Sequence, residues 1–139
     1  ATPKPTPAAE NVLSLIHQLI NTKNIDPHRI YLTGYSMGGE GTFDLAGQEP
    51  ALFACAVPLA SVADTANASK LKDIPFWVFH GTEDNVNPFK YSKLMVEAMK
   101  KQGSHPLFTE VKNTGHDCRN AAYLNPELWN WVFKQERND

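Results

Sequence analysis

The sequence predicts an α/β fold with a parallel sheet covered on both faces, and three observations carry that prediction. Short apolar runs alternate along the chain with segments of helical periodicity. The runs are apolar throughout, as in strands buried on both faces, instead of alternating polar with apolar. Beyond a proline-rich start, no internal repeat or low-complexity tract breaks the alternation. The 139 residues are enough for one domain with a real core.

Composition excludes several functions. Thirteen basic against 15 acidic residues give a net charge of −2, and no basic run occurs, which speaks against a nucleic-acid or anionic-membrane surface. The longest apolar stretches are far too short to span a bilayer. Cys55 and Cys118 make neither a disulfide framework nor a zinc signature. No His/Asp/Glu cluster has metal-ligand spacing, so no metal or cofactor is expected. The chain opens at Ala1 with no methionine and no signal-like apolar region, which reads as a processed protein or a piece of a longer one.

Taken in order, residues 1–7 carry three prolines and read as an extended arm. Thr6-Pro7 also has the form of an N-cap followed by proline at the first helical position. Val12, Leu15, Ile16, Leu19 and Ile20 then predict a helix ending near Asn24, and Asp26-Pro27 predicts a turn. A buried strand is expected over 29–33, followed by a sharp turn at Ser36 and a helix that Gly47 and Pro50 close. Residues 52–59 read as a second buried strand, and 60–73 as a loop with a short helix. Phe76 to Phe79 form a third strand, and Asn87-Pro88 a capped start to a helix reaching Gly103. Leu107 to Val111 form a fourth strand leading into the loop 113–118, and Asn125-Pro126 opens a last helix with Leu128, Trp129, Val132 and Phe133 as its apolar stripe.

The chemistry centres on Gly34-Tyr35-Ser36-Met37-Gly38, the G-x-S-x-G spacing. A strand-to-helix turn holds the serine in a strained backbone, and the flanking glycines relieve crowding. The hydroxyl is thereby thrust clear of the sheet at a helix N-terminus that favours developing negative charge. Alone, the pattern arises by chance in roughly 5% of chains this long, so its partners decide. In a parallel sheet, reactive groups sit beyond the carboxyl ends of the strands. Ser36, Asp84 and His116 all follow strands and share one edge, in the order Ser…Asp…His of a nucleophile-elbow hydrolase. His105 precedes its strand and falls at the opposite edge, while His17 and His28 read as surface residues. His80 is on the correct edge but leaves a strand directly, and reads as packing beneath the site. Among acids, Asp73 is at the wrong edge, Asp117 suits a local turn, and Glu83 is offset by one residue. Asp64 is the rival to Asp84. The backbone N–H of Met37 is the expected oxyanion donor.

These residues resemble the α/β-hydrolase superfamily, and more narrowly its phospholipase/carboxylesterase group, which includes extracellular, feruloyl-esterase-like enzymes and predicted peptidases. The likeness rests on Gly34-Tyr-Ser-Met-Gly-Gly39, on His80-Gly-Thr-Glu-Asp84 with Pro88 four residues on, and on Gly115-His116. The stretch Asn24 to Ser36 and the closing Asn125-Pro-Glu-Leu-Trp-Asn-Trp131 add to it. Residues 8–139 would then be the C-terminal portion of such a catalytic domain. Asn87 stands where the family usually has valine, and is expected to cap the following helix. Family members also open with several strands and a His-Gly oxyanion loop, and the only His-Gly here, His80-Gly81, already belongs to the acid loop. The resemblance thus implies an exposed edge at the first strand, completed by a preceding segment or by a second chain.

The implied function is a serine hydrolase that cleaves small-molecule or polysaccharide-linked carboxylic esters through an acyl-enzyme. A peptidase of the prolyl-oligopeptidase type and a non-catalytic hydrolase fragment are the alternatives. Phe89, Tyr91, Tyr123 and Trp129 read first as core packing, with an aromatic acyl pocket as the second reading. The proline-rich opening and the resemblance point to a secreted or periplasmic protein.

Overall fold

The computed structural model describes residues 6–138. Four parallel strands, β1 (Tyr31–Tyr35), β2 (Cys55–Leu59), β3 (Trp77–Gly81) and β4 (Leu107–Val111), lie side by side in chain order. The register pairs Tyr35 with Leu59, Leu59 with Phe79, and Gly81 with Val111, so all four carboxyl ends meet at one edge. Helix α1 (Pro7–Thr22) precedes the strands, α2 (Met37–Gln48) and α3 (Lys90–Lys101) connect them, α4 (Arg119–Tyr123) and α5 (Pro126–Val132) follow them, and a 3-10 helix spans Thr65–Leu71.

The strand residues sort by alternation into two cores. Ala56, Phe76 and Val78 pack with Leu13 of α1, Phe43 and Ala46 of α2, and Met95 and Met99 of α3. Cys55, Val57, Leu59 and Phe79 point the other way, onto Leu128 and Val132 of α5. All of these residues are buried, which makes the three-layer arrangement the sequence predicts. Phe43 and Phe76 stack with ring centroids 5.4 Å apart at the centre of the first core.

Local chemistry explains the helix starts. The Thr6 hydroxyl accepts from the Ala9 amide at 3.2 Å ahead of Pro7, and Asn125 Oδ1 accepts from Glu127 at 3.0 Å ahead of Pro126. The arm's first five residues lie outside the described residues.

Several expectations need correction. Asn87 does not cap α3: that helix starts at Lys90, and the Asn87 side-chain amide donates instead to the Ala60 carbonyl at 2.9 Å. Residues 52–54 are buried but precede β2, because a turn at 51–52 delivers them into the core before pairing begins. Helix α4 was hidden because its five residues, Arg-Asn-Ala-Ala-Tyr, are too few to show a period. On α1, Leu13 is buried while Val12, Leu15 and Leu19 are exposed, so the apolar stripe is wider than the surface it covers. Cys55 and Cys118 are buried free thiols. No described helix is long and apolar enough to cross a membrane.

Truncating Phe76, which is 1% exposed, removes half of the stacked pair and leaves a cavity between sheet and helices. Phe76→Ala is expected to lower the unfolding free energy by about 3–5 kcal/mol in urea titration.

Candidate active site

The site is built on the turn between β1 and α2. Ser36 has φ 56° and ψ −120°, a conformation that L-residues rarely adopt and that costs of order 1–3 kcal/mol unless its surroundings enforce it. They do. The Ser36 amide donates to the Leu59 carbonyl at 2.9 Å, and the Ser36 carbonyl accepts from the amides of Gly39 and Glu40 at 2.9 and 3.0 Å. A Cβ on Gly34 would come within 2.1 Å of the Gly38 carbonyl oxygen, and one on Gly39 within 2.7 Å of the Ser61 Cβ. Gly38 itself has open space where a Cβ would stand, so the crowding falls on Gly34 and Gly39 and not on both glycines of the motif.

His116 and Asp84 reach this turn from β4 and β3. His116 Nε2 lies 2.8 Å from Ser36 Oγ, and His116 Nδ1 lies 2.8 Å from Asp84 Oδ2. The other carboxylate oxygen, Asp84 Oδ1, accepts from the amides of Val86 and Asn87, both at 2.9 Å. The histidine's loop is pressed against the acid's strand: a Cβ on Gly81 would come within 2.1 Å of the Gly115 carbonyl oxygen. The Glu83 amide donates to the Thr114 carbonyl at 2.9 Å and fastens the two loops together.

The electrostatics favour an ionised acid. Burial pushes the Asp84 carboxyl up, but the hydrogen bond from His116 and the amides of Asn87 and Val86 outweigh it and hold the group below the usual carboxylate range. Tyr35 packs its ring 5.1 Å from that of His116, and the Arg119 guanidinium lies 4.9 Å above the Tyr35 ring. Arg119 is itself held by Asp117 through two side-chain bonds of 2.8 Å. The Cys118 thiol, pushed up to about 11 chiefly by burial, stays protonated and is no competing nucleophile near neutral pH.

The structure therefore brings together Ser36, Asp84 and His116, with Met37 opening α2 beside them. The other candidates lie elsewhere. Asp64 caps the 3-10 helix through the Ala66 amide at 2.9 Å, and Asp117 is occupied by Arg119. His17 is exposed and pairs with Glu49 at 2.7 Å. His28 is half-buried, not a surface residue, with its Nδ1 3.2 Å from the Arg137 carbonyl oxygen. Phe89 stacks on Phe108 and Tyr123 on Trp129, whereas Tyr91 is 38% exposed and is not core. Sequence reasoning missed the part played by Asn87. Its amide, side chain and carbonyl hold Asp84, Ala60 and His80 respectively. The available signal was the three-residue spacing Asp84-x-x-Asn87, which lets an aspartate accept from a following amide.

A parallel sheet bearing a serine on a strained strand-to-helix turn, hydrogen-bonded to a histidine and through it to an aspartate, has the α/β-hydrolase architecture. Within it the chain belongs to the PET hydrolase-like family, whose model matches residues 9–132. A solved structure of a thermostable esterase superposes with a TM-score of 0.92 at 35% identity, over 96% of this chain and 38% of that one. The chain is 29% identical to the bifunctional acetylxylan esterase/xylanase XynS20E of Neocallimastix patriciarum, over 86% of this chain and 17% of that protein. It is 30% identical to acyl-protein thioesterase 1 homolog 2 of Dictyostelium discoideum, over 77% of this chain and 52% of that protein. The chain thus spans about half or less of each of these three proteins.

The Asp84 environment sets a pH dependence. A carboxyl held below its unfolded value contributes stability above the ordinary aspartate range, about 3.9, and that contribution is lost as pH falls through the lower folded value. Unfolding free energy measured from pH 6 to pH 2 is expected to fall less steeply below about 4 in Asp84→Asn than in the parent chain.

Proposed function

We propose that the protein is a serine hydrolase of carboxylic esters, working through Ser36, His116 and Asp84. The observation that carries this reading is the relay of two 2.8 Å contacts from Ser36 Oγ through the His116 ring to Asp84 Oδ2. Its supports are the family membership and the resemblance to the thermostable esterase.

In this reading His116 Nε2 takes the proton from Ser36 Oγ as the oxygen attacks the acyl carbon. Asp84 keeps the Nδ1–H tautomer in place and stabilises the imidazolium that forms. The proton then passes to the departing alkoxide, leaving an acyl-serine that water hydrolyses with His116 again as base. The Met37 amide, first of α2, is the donor to the tetrahedral oxyanion, since the first amides of a helix have no intrahelical partner. A second donor would come from outside these residues. Among the described residues β1 pairs only with β2, and its far edge is the place for strands that a longer chain or a second chain would add. Lacking one oxyanion donor costs about 10²–10³ in turnover, so the chain by itself should be a slow esterase. Small or polysaccharide-linked esters are the proposed substrates, and secretion the proposed destination.

The test is p-nitrophenyl acetate turnover together with intact mass after fluorophosphonate treatment. One adduct is expected on the parent chain and none on Ser36→Ala or His116→Ala, with turnover reduced about 10⁴–10⁶-fold in both. Adducts that persist in Ser36→Ala would overturn the assignment.

A further inference from the structure

His80 belongs to none of the steps above, yet it is fully buried and sits against the acid. Its Nε2 lies 2.7 Å from the Asn87 carbonyl oxygen and 3.0 Å from Asp84 Oδ2, the same oxygen that faces His116 Nδ1. Both neighbours are acceptors, so this nitrogen must carry a hydrogen; a bare lone pair there would face two others. The opposite nitrogen, Nδ1, lies 2.6 Å from Ser92 Oγ of α3, and Ser92 Oγ in turn lies 3.0 Å from the Ser61 carbonyl oxygen beyond β2. The edge of the His80 ring meets the Phe89 ring, their centroids 5.8 Å apart at 85°. The imidazole is thus held at both nitrogens and on one side.

We infer that His80 is a positioning residue for the reaction: its buried ring, bonded through Nε2 to the Asn87 carbonyl and lying 3.0 Å from Asp84 Oδ2, fixes the loop that carries the carboxylate, and with it the direction in which His116 offers its base to Ser36. The inference rests on the proposed use of Ser36, His116 and Asp84. The physical case is one of rigidity. Asp84 lies on a loop, and the amides of Val86 and Asn87 hold only its Oδ1. Oδ2 would otherwise be restrained by His116 alone, the group it is supposed to orient. His80 lies at the end of β3, packs 3.0 Å from Oδ2, and through its bond to the Asn87 carbonyl ties to the sheet the loop whose amides hold Oδ1. One misplaced relay member lowers the rate without changing how substrate is held.

The test compares His80→Gln, whose amide nitrogen can stand where Nε2 stands, with His80→Met, which fills similar space without a donor. Ser92→Ala is the milder probe, since it frees the ring while leaving Nε2–H in place. In the parent chain, the proton that His116 Nδ1 shares with Asp84 should give a downfield imidazole resonance in ¹H–¹⁵N spectra. That resonance needs no turnover and is expected to shift or vanish in His80→Met and to return in His80→Gln. With p-nitrophenyl acetate, His80→Met should lose about 3–10-fold in kcat with KM kept, the range for losing a neutral hydrogen bond. His80→Gln should recover most of that loss, and Ser92→Ala should fall between them. An unmoved resonance in folded His80→Met, or equal losses in the Gln and Met variants, overturns the role. Should His80→Met fail to fold, a Ser92→Ala chain with parental resonance and kcat overturns it alone. A parent chain with the downfield resonance but no fluorophosphonate adduct would defeat the esterase reading and leave the positioning of Asp84 standing.

Discussion

The backbone of Ser36 is the constraint on which the rest of this structure depends. A left-handed residue between a strand and a helix is unfavourable in isolation, and it survives because the sheet grips it on one side and the helix on the other. Leu59 at the end of β2 accepts its amide, and the first turn of α2 takes its carbonyl. The close approach at Gly34 and Gly39 is the steric expression of the same grip. Strand pairing, helix start and serine exposure are therefore one arrangement, and loosening any of them releases the others.

The acid is held differently. Asp84 is on a loop, so its position comes from polar contacts and not from backbone geometry. Two amides take one oxygen, and two histidines approach the other. A buried carboxylate is costly unless its lone pairs are occupied, and here the Asn87 and Val86 amides and His116 occupy them. The second core reaches this polar edge through Cys118 and Tyr35, whose ring packs 5.1 Å from that of His116.

Much of this was legible in the sequence, for identifiable reasons. The inner strands announced themselves because residues such as Phe76 to Phe79 face a core on each side, whereas the outer strands β1 and β4 carry polar positions and are only partly buried, against the expectation of strands covered on both faces. Ser36, Asp84 and His116 could be selected because parallel strands place whatever follows them at one edge, a rule that needs no knowledge of side-chain contacts. What escaped were features set by contacts distant in the chain. Asn87 looks like a cap beside Pro88, and only the proximity of Ala60, 27 residues away, diverts its side chain. Helix α4 is held by its place over the second core and not by its pattern. His80 was seen as packing, which it is, but nothing local records that its ring reaches Oδ2 of an aspartate four residues on.

The bond between Ser36 and His116 closes a loop of 80 residues, and the one between His116 and Asp84 a loop of 32. The serine turn needs only β1, β2 and α2, which lie early in the chain, while His116 arrives from beyond β4. In the proposed reading, the turn can form before its base is in place during synthesis or refolding, and nucleophilicity at Ser36 waits for β4 and the loop after it to dock. On that reading, reactivity at Ser36 reports the pairing of segments distant in the chain: with β4 undocked, the serine turn would stand without its base.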